Sequence, residues 1–174
     1  MPDSPSNRPT TPTQLLARLA ELDIPAKTQS HAPVMTVDES KRLRGEIEGA
    51  HCKNLFLKDK KQRLWLVVAD EGRAINLKHL RRLIGSASLS FGRAELLADV
   101  LGVKPGSVTP FAVINDTRNQ VTLVLDKALV QGGKVSFHPL TNTQTTTLDS
   151  AGLLAFLKAH EHEPLIIDFD VEHA

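Results

Sequence analysis

Eight consecutive residues, Lys104-Pro105-Gly106-Ser107-Val108-Thr109-Pro110-Phe111, form the stretch of this sequence best suited to hold a reacting carbonyl. Its two prolines fix φ, and Gly106 opens backbone shapes closed to other residues, so the amides of Ser107 to Thr109 can be held toward one point. Fixed donors of that kind suit an oxyanion: they stabilise charge developing on a carbonyl oxygen during acyl transfer without reorganising when it appears. The same residues would also make a stiff connection from a helix to a strand with no ligand at all.

Lys53 is the second candidate, a lone cation in the apolar run His51-Cys52-Lys53-Asn54-Leu55-Phe56-Leu57. On a strand it shares a face with Leu55 and Leu57, while Cys52 shares the other with Asn54 and Phe56. Such a lysine either lines a pocket or snorkels to solvent. Cys52, facing away from it, reads as a small packing residue. In Phe137-His138-Pro139-Leu140-Thr141-Asn142-Thr143, Pro139 restricts the backbone of His138, so His138 and Asn142 either hydrogen-bond a polar substrate or satisfy a turn. His31, ahead of Ala32-Pro33-Val34, is equally ambiguous.

His160-Glu161-His162-Glu163 lacks a third ligand at useful spacing and reads as a solvated terminus, not a metal site. Lys58, Lys60, Lys61 and Arg63, with Lys78, Arg81 and Arg82, permit phosphate contact but are compatible with ordinary solvated charge. No G-x-S-x-G elbow, H-E-x-x-H helix, P-loop or paired C-x-x-C is present. An enzyme here must use backbone groups, scattered side chains or its own substrate.

Several elements must position these residues. Thr11 before Pro12 predicts a helix start, with Leu15, Leu16, Leu19 and Leu22 on one face until Pro25. Thr36 and Glu39 have capping-box spacing for a second helix ending at Gly45 or Gly49. Residues 53–57 and 64–69 flank a polar turn and predict a β-hairpin. Asn76 caps a short helix ending at Gly85, and another ends at Gly102. Residues 111–114 and 121–125 predict a second hairpin; 135–137 and 143–147 predict further strands; a helix over 150–160 and a strand over 165–169 follow. Hairpins interspersed with helices predict a single α+β domain with a central mixed, mostly antiparallel sheet and surrounding helices.

The bulk properties set limits. A chain of 174 residues with 41% hydrophobic and 24% charged residues is sized for one globular domain. Residues 1–10, rich in proline and polar side chains, are expected to form a flexible tail ahead of a domain over 11–174. A formal charge of +1 supplies no global field toward nucleic acid, so any RNA contact must be local. One cysteine excludes an internal disulfide and fits a reducing compartment, and no run approaches membrane-spanning length. A cytoplasmic protein is expected.

From about His31 onward the chain resembles the free-standing editing domains of the YbaK and prolyl-tRNA synthetase-associated superfamily, most closely the single-domain Ala-tRNA(Pro) deacylases. The likeness lies in His31-Ala32-Pro33-Val34, in Cys52-Lys53-Asn54-Leu55-Phe56-Leu57-Lys58-Asp59, in Gly106 to Phe111 and in Phe137 to Thr143. It implies that Lys53 and the G-x-x-x-P loop (Gly106, Ser107, Val108, Thr109 and Pro110) carry catalysis, and that His31, Asn54, His138 and Asn142 bind substrate. It also implies ester hydrolysis with no metal or cofactor. The implied partner is the acceptor end of mischarged tRNA(Pro), with transient association with prolyl-tRNA synthetase and no membrane or DNA partner. Alanine is the expected amino acid; the alternatives are a deacylase for Cys- or Ser-charged tRNA and a non-catalytic tRNA- or protein-binding module. A synthetase pocket shaped for proline cannot sterically exclude alanine, and a missing methylene supplies only about 1–3 kcal/mol of discrimination, which is the physical motive for editing.

Overall fold

A computed structural model of the chain describes residues 9–33 and 50–170, so the helix predicted from Thr36 and most of the expected N-terminal tail lie outside the described residues. Helix α1 spans Pro12–Glu21, and the Thr11 side chain accepts from the Gln14 amide while Gln14 returns a bond to the Thr11 amide. This reciprocal cap satisfies two otherwise orphaned donors. Just ahead of it, the Thr10 amide donates to Asn115 Oδ1 at 2.9 Å, so the chain is already tied to the domain there.

Strands β1 (Ala26–Ser30), β2 (Ala50–Asp59) and β3 (Leu64–Asp70) follow. The β2–β3 hairpin forms as expected and is closed by Asp59, which is buried. Its carboxylate accepts from the amides of Lys61 and Arg63, from Arg63 Nε at 3.0 Å and from the Ala87 amide. Burial works to raise this carboxyl's pKa, but the amides of Arg63, Ala87 and Lys61 outweigh it and hold it below the usual carboxylate range.

Helix α2 (Leu77–Ile84) is capped by Asn76 and ends at Gly85 with φ +67°; α3 (Ala94–Leu101) ends at Gly102 with φ +66°. Both are left-handed stops of the kind glycine adopts freely. Between them lies β4 (Leu89–Phe91). Strands β5 (Val121–Asp126), β6 (Lys134–Phe137) and β7 (Gln144–Asp149), helix α4 (Ser150–Ala159) and strand β8 (Leu165–Ile167) complete the chain.

The eight strands form one mixed sheet in the order β1-β7-β6-β2-β3-β5-β8, with β4 paired to β2. Four pairings are antiparallel and three (β2–β6, β3–β5, β5–β8) are parallel. One face packs Phe56, Leu66, Val68 and Leu125 against Leu19, Leu101, Phe111 and Phe156; the other packs Leu57, Trp65 and Val67 against Leu80 and Ile84 of α2.

Two expectations are corrected. Residues 111–114 are not a strand: Pro110–Asn115 is a 3-10 helix, started by Thr109, whose hydroxyl accepts from the Phe111 amide, with Pro110 at its first position. The His160–Glu163 segment is not a solvated terminus. His162 is only 3% exposed, and its Nε2 lies 2.8 Å from Asp116 Oδ2.

Candidate active site

Strand β2 is paired to β3 along one edge, from Cys52 to Lys58. On its other edge β6 reaches only Ala50 and His51, and β4 only Leu57 to Asp59. Among the described residues, 52–56 therefore have no strand neighbour on that edge, and the sheet opens there. Phe137 and His138, where β6 departs from β2, border the opening. Phe111 meets Phe137 edge-on, ring centroids 5.8 Å apart, which anchors the end of the 104–111 loop beside it. At the far end of the gap the Gly92 amide donates to the Phe56 carbonyl. A Cβ on Gly92 would sit 2.4 Å from the Phe56 ring, so this approach needs glycine.

Within the loop, Pro105–Ser107 is a short 3-10 turn and the Ser107 amide donates to the Lys104 carbonyl at 2.8 Å. That donor is consumed locally, contrary to the expectation that it faces a ligand. Thr109 and Pro110 are buried and serve the following 3-10 helix, whereas Gly106 is exposed and Val108 half-buried. A Cβ built on Gly106 would lie 3.6 Å from Asn142 Nδ2, so the loop and Asn142 are neighbours although 36 positions apart in sequence.

The two histidines also come together, ring centroids 6.4 Å apart. His138 Nδ1 lies 3.1 Å from the Gln144 carbonyl oxygen, which can only accept, so Nδ1 carries the proton and Nε2 keeps a lone pair. Burial first, then the neighbouring His31, holds the pKa of His138 below its usual value. His31 Nδ1 faces the Ala32 carbonyl at 2.9 Å, and its Nε2 lies 2.8 Å from the Thr145 hydroxyl. Both of its nitrogens are committed. Gln144 and Thr145 thus orient the pair; the polar run in which they sit carries no spacing signal that would have singled them out.

On β2, Cys52 and Phe56 pack with the core that contains Phe111 and Val108, and Leu55 and Leu57 with the core beneath α2. By strand alternation Asn54 leaves toward the loop's face and Lys53 toward the opposite one. The Asn54 carboxamide oxygen is buried without a hydrogen-bond partner among the described residues. Lys53 is half-buried and makes no hydrogen bond or ion pair among them. Cys52 is no nucleophile: burial, then the charges of Asp70, Asp126 and Glu71, push its thiol pKa up, and its Sγ donates to the Ala50 carbonyl. No cluster of three or more potential metal ligands occurs among the described residues, and none of their helices is long and apolar enough to cross a membrane.

The sequence profile of the aminoacyl-tRNA editing domain matches residues 31–156, which include every candidate above. The chain belongs to that family. The editing domain is 41% identical over 162 residues to the prolyl-tRNA synthetase associated domain-containing protein 1 of Xenopus laevis, covering 90% of this chain and 96% of that protein. It is 40% identical over 147 residues to the prolyl-tRNA editing protein ProX of Acetoanaerobium sticklandii, covering 84% and 90%. Its fold matches a crystal structure provisionally described as a trans-editing enzyme for prolyl tRNA synthetase, with TM-score 0.67 and 20% identity over 95% of this chain and 98% of that one. The expected α+β architecture is therefore the architecture of the editing domain.

Proposed function

We propose that the chain is a trans-acting hydrolase that removes a wrongly attached amino acid, alanine before others, from tRNA(Pro) by metal-independent ester hydrolysis. The observation that carries this reading is the buried, unpartnered Asn54 oxygen on the loop's face of a broken sheet. A buried acceptor left without a donor costs about 1–3 kcal/mol, which a bound donor such as a ribose hydroxyl or an ammonium would recover. Asn54 takes that donor, and His138 Nε2 accepts a second hydrogen bond from substrate or water. The exposed backbone at Gly106 and Val108, steadied by Asn142, positions the ester carbonyl. Water attacks the carbonyl carbon, the bond to the ribose oxygen breaks, and that oxygen leaves as a hydroxyl after taking a proton. With no Ser-His or Cys-His pair at the opening among the described residues, a ribose hydroxyl helps activate the water. Lys53, on the other face, neutralises a phosphate of the incoming strand.

Deacylation of Ala-, Cys-, Ser- and Pro-tRNA(Pro) by the purified chain tests this directly. Ala-tRNA(Pro) should be hydrolysed fastest and Pro-tRNA(Pro) spared. A faster rate on the Cys or Ser species reassigns the substrate, and tight tRNA binding with no hydrolysis replaces the enzyme with a binding module.

The histidine role has its own signature. Because Nε2 must keep its lone pair, the rate should hold through neutral pH and fall only in acid, below the ordinary histidine value of about 6.5. His138→Ala should lower the plateau and remove that inflection from the pH–rate profile. An unchanged profile in the variant excludes His138 from the reaction.

A further inference from the structure

We propose that the groove between α2 and the turn leading into β4 binds the phosphate backbone of the RNA whose 3′ end enters the opening at Asn54. The tRNA identity of that RNA rests on the editing reading; the charge geometry does not. The groove has a volume of about 760 Å³ and, among the described residues, is lined by Lys78, Arg81, Arg82, Ser86 and Ser88 and by no carboxylate. Lys78, Arg81 and Arg82 fall at i, i+3 and i+4, hence on one side of the helix, opposite the buried Leu80 and Ile84. None of the three has an ion-pair or hydrogen-bond partner for its side chain among the described residues.

Helix electrostatics do not account for this set. Arg81 and Arg82 lie in the last turn, where the macrodipole favours cations, but Lys78 lies in the first turn, where it disfavours them. A chain with formal charge +1 has concentrated in one concavity three cations that have no partner among the described residues, which is the local patch that polyanion binding requires.

The groove is also bound to the strand that carries the candidate site. Leu89 on its wall pairs with Asp59 at the end of β2, and the Lys60 amide donates to the Ser88 carbonyl at 3.1 Å, placing the Lys60 backbone beside the groove. Lys53 and Asp59 are six strand positions apart, roughly 20 Å at about 3.3 Å per residue. Lys53 leaves β2 on the face that α2 covers, so a backbone running from the groove along that face to the gap beside residues 52–56 passes its ammonium, and Asn54 lies across the gap. A stem lying in the groove would present its terminal nucleotide at the opening.

The test uses the full chain and uncharged tRNA(Pro), with binding followed by fluorescence anisotropy across a salt series. The variant carrying Lys78→Gln, Arg81→Gln and Arg82→Gln should bind roughly tenfold or more weakly, and its slope of log affinity on log salt should be shallower by about 2 to 3, one step per lost phosphate contact. The charge-retaining variant Lys78→Arg, Arg81→Lys, Arg82→Lys should keep most of the slope. In deacylation, the glutamine variant should show a raised KM for whole aminoacyl-tRNA and unchanged turnover of aminoacyl-adenosine, which is too short to reach the groove. Unchanged tRNA affinity and slope in a variant whose unfolding temperature matches wild type overturns the proposal. So does loss of binding to phosphatidylserine vesicles with tRNA binding intact, which would make the groove a membrane contact. If the glutamine variant loses affinity and slope as expected but the wild type hydrolyses nothing, the editing reading fails and the groove stands.

Discussion

Lys53→Ala should lower kcat/KM on Ala-tRNA(Pro) by roughly 10- to 100-fold, because a charge-assisted hydrogen bond contributes about 1.5–3 kcal/mol and each 1.4 kcal/mol is tenfold. The direction follows from what the lysine lacks. It is half-buried in β2, opposite Ala69, and none of the described carboxylates pairs with it, so its ammonium is available to a substrate anion. Removing it should not unfold the chain, since no described internal interaction is lost. Lys53→Met separates charge from packing, because it keeps an apolar stem of similar length. If Lys53→Met retains full activity, the charge has no role. The nature of the anion is separable too. A lysine that neutralises a phosphate should matter for whole tRNA and hardly at all for aminoacyl-adenosine, which carries none; equal losses on both substrates would place the ammonium at the ester and contradict the phosphate role. Asn54→Ala should behave differently. It removes the unpartnered acceptor at the opening, so activity should fall on both substrates while the unfolding temperature holds or rises, since the variant no longer buries an unsatisfied oxygen.

How much of this was legible beforehand depends on the range over which each signal acts. Helix caps at Thr11 and Asn76, glycine stops at 85 and 102, and the alternation in β2 act within a few residues, and each recurs in the structure as read. Strand β1 was missed because Ala26-Lys27-Thr28-Gln29-Ser30 is an edge strand with no buried residue, so it has no apolar period to detect. Strand β4 is three residues long and was missed for want of length. The run Phe111-Ala112-Val113-Ile114 is apolar throughout, and a fully buried run does not distinguish a strand from a helical turn. The site was harder still. His31 meets His138 because β1 and β6 flank β7, with Ser30 opposite Gln144 and Phe137 opposite Thr146, and Gly106 meets Asn142 because the loop after α3 reaches the β6–β7 turn. No local pattern encodes those meetings. The ordered motifs shared with the family carried that information, and they placed the residues without fixing which of them face the ligand: Ser107 was expected as a donor to substrate and instead closes its own turn.

The same distance effect hid a fully buried ion pair, Asp116 with His162, whose loss should be strongly destabilising. Asp116→Ala should destabilise the fold by about 3–5 kcal/mol, the usual cost of leaving one member of a buried pair uncompensated. In a chain of this size that corresponds to a fall in unfolding temperature on the order of 10 °C. Asp116 and His162 are both nearly inaccessible, and the Asp116 carboxylate also accepts from the amides of Gln120 and Val121, at 3.0 and 2.8 Å, at the entry to β5. His162 Nδ1 faces the His160 carbonyl at 2.6 Å, so both of its nitrogens meet acceptors and the doubly protonated ring is the form that satisfies them. Burial opposes that charge, but the Asp116 hydrogen bond and the His160 carbonyl outweigh it and raise the pKa of His162; the same bond, with the two amides, lowers that of Asp116 against its own burial. The signs set a window. The histidine contribution is complete below its unfolded value of about 6.5 and is lost as pH rises through the higher folded value; the aspartate contribution is complete above about 3.9 and is lost as pH falls through the lower folded one. Urea unfolding of the wild type should therefore show this pair's full effect between roughly pH 4 and 6.5, weakening on both sides. His162→Gln should flatten the alkaline side while keeping a neutral donor to Asp116. A wild-type profile that does not weaken above neutral pH, or an Asp116→Ala variant that unfolds at the wild-type temperature, would remove the charged pair from the forces that hold the C-terminal segment against β5.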